Sequence, residues 1–292
     1  MAKGYRAQGV VPFQVGDFRL WILSDGIFRL DGGAMFGVVP KVLWAKSAPP
    51  DRLNRITLGL SPLLVDTGSD LVLIDTGIGD KFDEKFKEMF SIVHRPSLER
   101  SLEESGFSRE DITLVVNTHL HFDHAGGNTV VDPDGKVVPA FPSAHYVVQE
   151  GEWRDALDRN ERNRRSYRED DYLPLEGSDL LRRVNGEVEL TSGIRLIPTP
   201  GHTRHHQSIL IGSQGEYALY AGDLIPTSAH IPYPFIMGYD LYPMETLKQK
   251  KDILPRAHRE GWQIVFEHDP IVRVARLEEG KDGFVAGRQR DM

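Results

Sequence analysis

The stretch Asn117-Thr118-His119-Leu120-His121-Phe122-Asp123-His124-Ala125-Gly126-Gly127 constrains this chain more than any other. It follows Ile112-Thr113-Leu114-Val115-Val116, an apolar run that reads as a buried strand. His119 and His121 are two apart, so on an extended backbone they point to the same side. Asp123 and His124 come where the chain leaves the strand, and Gly126-Gly127 lets it turn sharply. Such a cluster is poor packing material, because unpaired buried imidazoles are costly and protonated neighbours repel. The pattern points to a metal held at a strand end.

The bulk of the sequence narrows the chemistry further. Its 292 residues include no cysteine, which excludes disulfides, iron–sulfur clusters and thiolate ligands, so nitrogen and oxygen must hold any metal. The formal charge of −8 argues against a general nucleic-acid surface. Hydrophobic content of 40% and charged content of 27% suit a globular enzyme with a substantial core. The segment Met1-Ala2-Lys3-Gly4-Tyr5-Arg6 lacks the apolar run of a signal peptide, and no stretch has the length of a membrane span, so a cytoplasmic protein is expected.

Along the chain, residues 13–24 have β character and end at the turn signal Asp25-Gly26. Residues 30–44, with Gly32-Gly33 and the apolar Met35, Phe36, Val38, Val39, Leu43 and Trp44, are too irregular for a strand and apolar enough to cover a pocket, a partner subunit or the core. Two strands joined by Thr67-Gly68-Ser69 lead to Asp75-Thr76-Gly77, and helical spacing follows over 82–90 and 97–105. His145 lies on a later short strand and reads as structural. Residues 151–171 alternate arginines and acids, as in an exposed helical insert or a lid. The remainder returns to strands, with an aromatic and proline-rich loop over 226–243, a helix over 244–254 and a last clear strand over 262–266. A single domain over 1–292 is expected, its two halves spanning roughly 10–150 and 180–275 around that insert.

His202, Asp223 and His268 share one placement, each just after a short apolar strand and beside Gly or Asp-Pro. With the opening motif they make five imidazoles and two carboxylates, a set that fits two adjacent divalent ions with open positions for water. Three imidazoles can hold one ion, an imidazole pair with a carboxylate the second, and a carboxylate can bridge them. Ions roughly 3.5–4 Å apart convert a bridging water to hydroxide near neutral pH, lowering its pKa from 15.7 towards about 7. No protein nucleophile is then required, in keeping with the absence of cysteine and of a nucleophile-elbow serine.

From 13 to about 272 the chain resembles the metallo-β-lactamase superfamily of metallohydrolases, on Asp75-Thr76-Gly77, the 118–127 motif, Thr199-Pro200-Gly201-His202-Thr203, Gly222-Asp223 and Glu267-His268. The resemblance implies an α/β fold, a four-layer αβ/βα sandwich, with the site between the sheet edges. It implies His119, His121 and His202 on one metal, Asp123, His124 and His268 on the other, and Asp223 bridging. Asp75, Thr118 and His206 would support these ligands from behind. The cofactors would be two divalent ions, zinc by preference, with Mn, Fe or Co also able to use imidazole and carboxylate ligands.

Within that superfamily the segments 30–37 and 223–230 are most similar to the quorum-quenching lactonase and methyl parathion hydrolase branches. The implied function is hydrolysis of a lactone of the N-acyl homoserine type by a bridging hydroxide, with Asp123 and Asp223 catalytic. Many such lactonases carry a catalytic Tyr three residues after the bridging Asp, where this chain has Pro226, so His230, Tyr233 or the metal itself is expected to take that role. Met35, Phe36, Trp44 and Phe235 are expected to form the acyl pocket. Phosphotriester or phosphodiester hydrolysis is the alternative, followed by a glyoxalase II-like thioesterase, a mononuclear-iron persulfide dioxygenase and a metal-stabilised binding protein. The expected partner is a small-molecule substrate, with neither nucleic acid nor membrane, and the apolar 32–44 segment could also serve a homodimer.

Overall fold

The computed structural model describes residues 9–281 and 283–287. Two seven-stranded sheets carry the fold. The first runs, edge to edge, through Val11–Val15, Phe18–Ile22, Leu63–Asp66, Leu71–Ile74, Leu114–Val116, His145–Gln149 and Leu181–Val184. The second runs through Val188–Thr191, Ile194–Pro198, Gln207–Ser213, Glu216–Tyr220, Gln263–Val265, Val274–Gly280 and Gly283–Ala286. The motif-bearing strand Leu114–Val116 pairs in parallel with both neighbours, so its carboxyl end opens beside theirs.

Alternation along the strands explains the layering. Leu63 and Val65 point between the sheets, where they meet Ile194, Leu196, Ile209 and Tyr220 of the second sheet. Leu64, one residue out of phase, points the other way with Leu73 and Val115, towards Leu98 and Leu102 of the helix Leu98–Glu104 and Trp153 of the helix Glu150–Leu157. The outer face of the second sheet packs Leu219 and Ile264 against Leu254 and Ala257 of the helix Pro243–Arg259. Each fully buried aliphatic side chain contributes about 1.5–3 kcal/mol. The order helix, sheet, sheet, helix is the expected αβ/βα sandwich.

Several local expectations change. The β character of residues 13–24 takes the form of a hairpin, Val11–Val15 with Phe18–Ile22, with Gly16 at φ 55° in a turn where a Cβ would run into the Ser213 carbonyl. The 30–44 segment begins on the hairpin Ile27–Asp31/Arg55–Gly59 and continues as two short helices, Gly32–Phe36 and Lys41–Trp44. Its Met35, Phe36, Val39 and Trp44 are buried, while Val38, Val42 and Leu43 face outwards. The second sheet continues past 275 to Ala286, and Leu181–Val184 belongs to the first sheet. Among the described residues no helix is long and apolar enough to cross a membrane.

Asp25 ties the loops beneath the first sheet's edge. Its Oδ2 accepts from the Ile78 and Gly79 amides at 2.9 and 3.0 Å, and its Oδ1 from the Leu98 amide at 2.9 Å and from His94. Burial opposes protonation of His94, but the hydrogen bond and charge of Asp25, helped by Asp80, outweigh it and raise the imidazole above its usual 6.5. A folded-state value above the unfolded one gives stability that is full below about 6.5 and is lost as pH rises through the raised value. Urea unfolding of the wild type should therefore weaken across that window relative to His94→Gln. Parallel pH profiles for the two proteins would contradict this.

Candidate metal centre

Four strands deliver the candidate ligand side chains to one place. His119 and His121 follow Leu114–Val116, and the short helix Phe122–Ala125 turns Asp123 and His124 back towards them. His202, Asp223 and His268 each arrive a few residues beyond Ile194–Pro198, Glu216–Tyr220 and Gln263–Val265 of the second sheet. All seven are buried. His119, His121 and His202 form one group, Asp123, His124 and His268 another, and within each group the ligand atoms lie within 4.8 Å of one another.

Asp223 stands between the two groups with one oxygen towards each. Its Oδ2 lies 3.1 Å from His202 Nε2 and 4.0 Å from His119 Nε2. Its Oδ1 lies 3.3 Å from His268 Nε2 and 3.6 Å from His124 Nε2. His268 Nε2 is also 3.7 Å from Asp123 Oδ2. Imidazole nitrogens face each other at 3.0 Å (His202 Nε2, His121 Nδ1) and 3.2 Å (His268 Nε2, His124 Nε2). Lone pairs brought so close favour a shared cation. His119 Nε2 and Asp223 Oδ1 are buried without hydrogen-bond partners, an arrangement that costs free energy unless an ion completes it. The donor set therefore fits two divalent ions, and protein geometry alone does not choose among Zn, Mn, Fe and Co.

The ring nitrogens pointing away from the site are held from behind. His124 Nδ1 meets Asp75 Oδ2 at 3.0 Å and Glu267 Oε2 at 2.7 Å. His202 Nδ1 meets Asp240 Oδ1 at 3.0 Å, and His268 Nδ1 donates to the Gly59 carbonyl at 2.9 Å. Thr118 gives its amide and its hydroxyl to Asp75, both at 2.7 Å, and its Oγ1 lies 3.0 Å from His119 Nδ1. Asp75 itself sits at φ 54°, in the left-handed region. His206 Nε2 accepts from the Asp223 amide at 3.1 Å, and burial together with the His202 charge pushes its own pKa down to about 3. Such partners orient ligands and raise their basicity.

The electrostatics agree with this arrangement. Burial, then the neighbouring imidazoles, hold His119 and His121 well below the usual histidine range, so they are neutral and ready to ligate. Burial opposes protonation of His124 and His268, yet the carboxylates of Glu267 and Asp223 raise both, His268 to about 9. Burial pushes Glu267 up to about 7. The carboxylates thus demand positive charge at this spot, which protons or divalent ions can supply.

A cavity of about 220 Å³ opens above the centre, with His121, Asp123, His202, Asp223 and His268 on its wall. Leu30, Met35, Leu58, Phe122, Met237 and Leu241 give that wall its apolar part, and Arg162, Asn163, Arg165, Ser166 and Tyr239 its polar part. Of the expected acyl-pocket residues only Met35 lines it. Phe36 and Trp44 stack behind it at 5.3 Å, and Phe235 meets Phe36 edge-on at 6.1 Å.

The expected roles of His230 and Tyr233 are not supported. His230 is buried outside the cavity, its Nε2 2.8 Å from the Met35 carbonyl and its Nδ1 2.7 Å from Thr227 Oγ1. Tyr233 packs partly buried against the outer face of the second sheet, beside Gly283. Arg204 donates to the Tyr242 hydroxyl and His205 is half-exposed beside Asp155, so neither reaches the centre. Tyr239, Asp240, Glu152 and the 160–167 turn were missed. They sit in loops or among charges where neither periodicity nor a strand end marks them.

The sequence profile of the metallo-β-lactamase superfamily matches residues 60–268. A probable metallo-hydrolase of Mycobacterium tuberculosis is 27% identical over 279 residues, covering 81% of this chain and 85% of that protein. An N-acyl homoserine lactonase of Bacillus cereus is 28% identical over 171 residues, 55% of this chain and 61% of that protein. Among solved structures, a probable metal-dependent hydrolase from Staphylococcus aureus superposes with a TM-score of 0.86 at 32% identity, covering 96% of this chain and 100% of that one. A dizinc quorum-quenching lactonase in complex with its product shares the fold, with a TM-score of 0.81 at 23% identity over 97% of this chain and 98% of the other. With its ligand groups assembled on this fold, the chain belongs to the metallo-β-lactamase superfamily and is a metallo-hydrolase.

Proposed function

We propose that this chain opens a lactone ring of the N-acyl homoserine type, using two divalent ions, zinc by preference. The observation that carries the reading is Asp223, whose two oxygens face two separate imidazole groups at the floor of a cavity with an apolar wall. His119, His121 and His202 would hold one ion, Asp123, His124 and His268 the other, and Asp223 both. When bound, the ions supply a water acidified to near neutral pH and Lewis acidity towards the carbonyl. The lactonases among the relatives support the substrate class.

The chain's own groups do the rest. Leu30, Met35, Met237 and Leu241 receive an acyl chain and keep water away from the reacting ester. Hydrolysis adds hydroxyl to the carbonyl carbon and breaks the ring carbon–oxygen bond, and the departing alkoxide takes up a proton. Asp123, 3.7 Å from His268 at the cavity floor, is placed to take the proton that water gives up and return it. Tyr239 takes the donor role that Pro226 cannot fill. Burial, then the charges of Asp31 and Asp123, push its phenol up to about 12, so it stays protonated and can donate to the developing oxyanion.

Tyr239→Phe should lower kcat roughly a hundredfold with little change in KM. An unaltered kcat would remove Tyr239 from the reaction. The substrate class is tested with metal-loaded protein on a panel of acyl-homoserine, γ- and δ-lactones beside phosphotriesters. Turnover of the lactones is expected, and turnover of phosphotriesters alone would overturn the assignment.

A further inference from the structure

The structure assigns the substrate an anionic group, such as a carboxylate, set apart from the ester that is cut and bound by Arg162 and Arg165. This rests on the hydrolase reading of the same cavity and narrows its substrate class. Both arginines are exposed and line the cavity wall. They are not on a loose loop. Asn160 Oδ1 accepts from the Arg162 amide at 2.9 Å, and Asn163 Oδ1 accepts from the Asn160 amide at 2.8 Å. The Ser166 carbonyl accepts from the Phe122 amide at 2.8 Å, which pins the turn between the ligands His121 and Asp123.

The charges in this segment are used unevenly. Arg159 is paired with Glu169, and Arg168 lies over the Phe82 ring at 3.9 Å with Asp171 beside it. Arg162 donates one nitrogen to the Gly238 carbonyl at 2.7 Å, which fixes the side chain without neutralising it. Arg165 has no hydrogen-bond or ion-pair partner among the described residues. In a chain of net charge −8, Arg162 and Arg165, neither with a carboxylate partner, stand at the cavity that holds the reacting atoms, whereas Arg164, also without a carboxylate partner among the described residues, does not line it. The neighbouring carboxylates Asp123 and Asp223 are committed to the imidazole groups. A neutral acyl tail gains nothing from a guanidinium, whereas a carboxylate gains charge-assisted, bidentate hydrogen bonds and is steered inwards on approach.

The probe is a series of α,ω-dicarboxylates, succinate to suberate, titrated calorimetrically into metal-loaded protein beside monocarboxylates of equal length. One carboxylate end occupies the metal centre in both series, so only the second end distinguishes them. The best-fitting dicarboxylate should bind about tenfold tighter than its monocarboxylate, with the gap narrowing as salt rises. The gap should vanish in Arg162→Gln/Arg165→Gln and return in part in Arg162→Gln alone, with monocarboxylate affinity unchanged throughout. Equal affinities in the wild type, or a gap that survives the double substitution, would overturn the inference. Turnover of a neutral lactone by the same preparations separates the two readings. An affinity gap without lactone turnover upholds the anion site and sinks only the lactone assignment.

Discussion

Replacing Asp223 with alanine is expected to lower kcat/KM by at least roughly a thousandfold and to reduce bound metal below two ions per chain. No other ligand has oxygens directed at both imidazole groups, Oδ2 at His202 and His119 and Oδ1 at His268 and His124. Its charge also answers that of His202 and His124, which hold Asp223 well below the usual carboxylate range although burial opposes ionisation. The substitution therefore removes an anion common to both groups. Any gain in melting temperature on adding metal should shrink with it, because ligand-linked stability scales with the affinity lost. Asp223→Asn keeps the shape and isolates the charge. Metal analysis, steady-state kinetics and melting with and without metal check the outcome together. Two retained ions with activity within tenfold of wild type would contradict the bridging role.

The second large effect is structural and comes from a carboxylate outside the ligand set. Glu152 is fully buried, and three donors converge on it. They are the Leu120 amide at 3.1 Å, the Tyr167 hydroxyl at 2.8 Å and the Thr203 hydroxyl at 2.7 Å. Leu120 lies between His119 and His121, Thr203 follows His202, and the Tyr167 ring meets His121 edge-on at 4.8 Å. One side chain thus joins the motif loop, the 202–203 loop and the 160–167 turn. Glu152→Ala strands all three donors in a buried site and should cost about 3–5 kcal/mol in urea unfolding. Glu152→Gln keeps an acceptor, and the hydroxyls can reverse, so it should cost about 1–2 kcal/mol. Metal affinity should fall about 10- to 100-fold in Glu152→Ala as the ligands lose their common support. An alanine variant as stable as wild type would show that the hub carries no load.

The legible part of the site was local. His119 to His124 announce themselves because ligand spacing and the preceding strand lie within a dozen residues. His202, Asp223 and His268 could be found because each follows an apolar strand beside Gly or an Asp-Pro, and the two-layer fold brings such strand ends together. The second sheet's last strands, Val274–Gly280 and Gly283–Ala286, escaped notice because outward-facing Arg276, Glu278 and Glu279 break up their apolar pattern.

What lies around the candidate metal centre was less legible, since its placement depends on long-range contacts. The 226–243 loop has no periodicity. It is held by Lys250, whose buried amine donates to the carbonyls of His230, Pro232 and Phe235 at 2.7, 2.7 and 3.0 Å. It is held too by the Leu241 and Tyr242 amides on the carbonyls of His202 and Gly201. Those bonds bring Tyr239 to the cavity and Asp240 to His202, and bury His230 away from it. The arginine-rich insert was read as a solvated face or a lid. Trp153, Tyr167 and Tyr172 bury its inner side, and the Phe122–Ser166 hydrogen bond makes its turn a fixed part of the cavity wall.

The central claim, that Asp223 and the six residues around it make a two-metal hydrolytic centre, is tested most directly by titrating metal-free protein with Zn while following lactone hydrolysis and bound metal together. Activity should rise to its maximum as the second equivalent per chain is taken up, and should be lost on chelation. Full activity at one equivalent, or activity indifferent to metal, would contradict it.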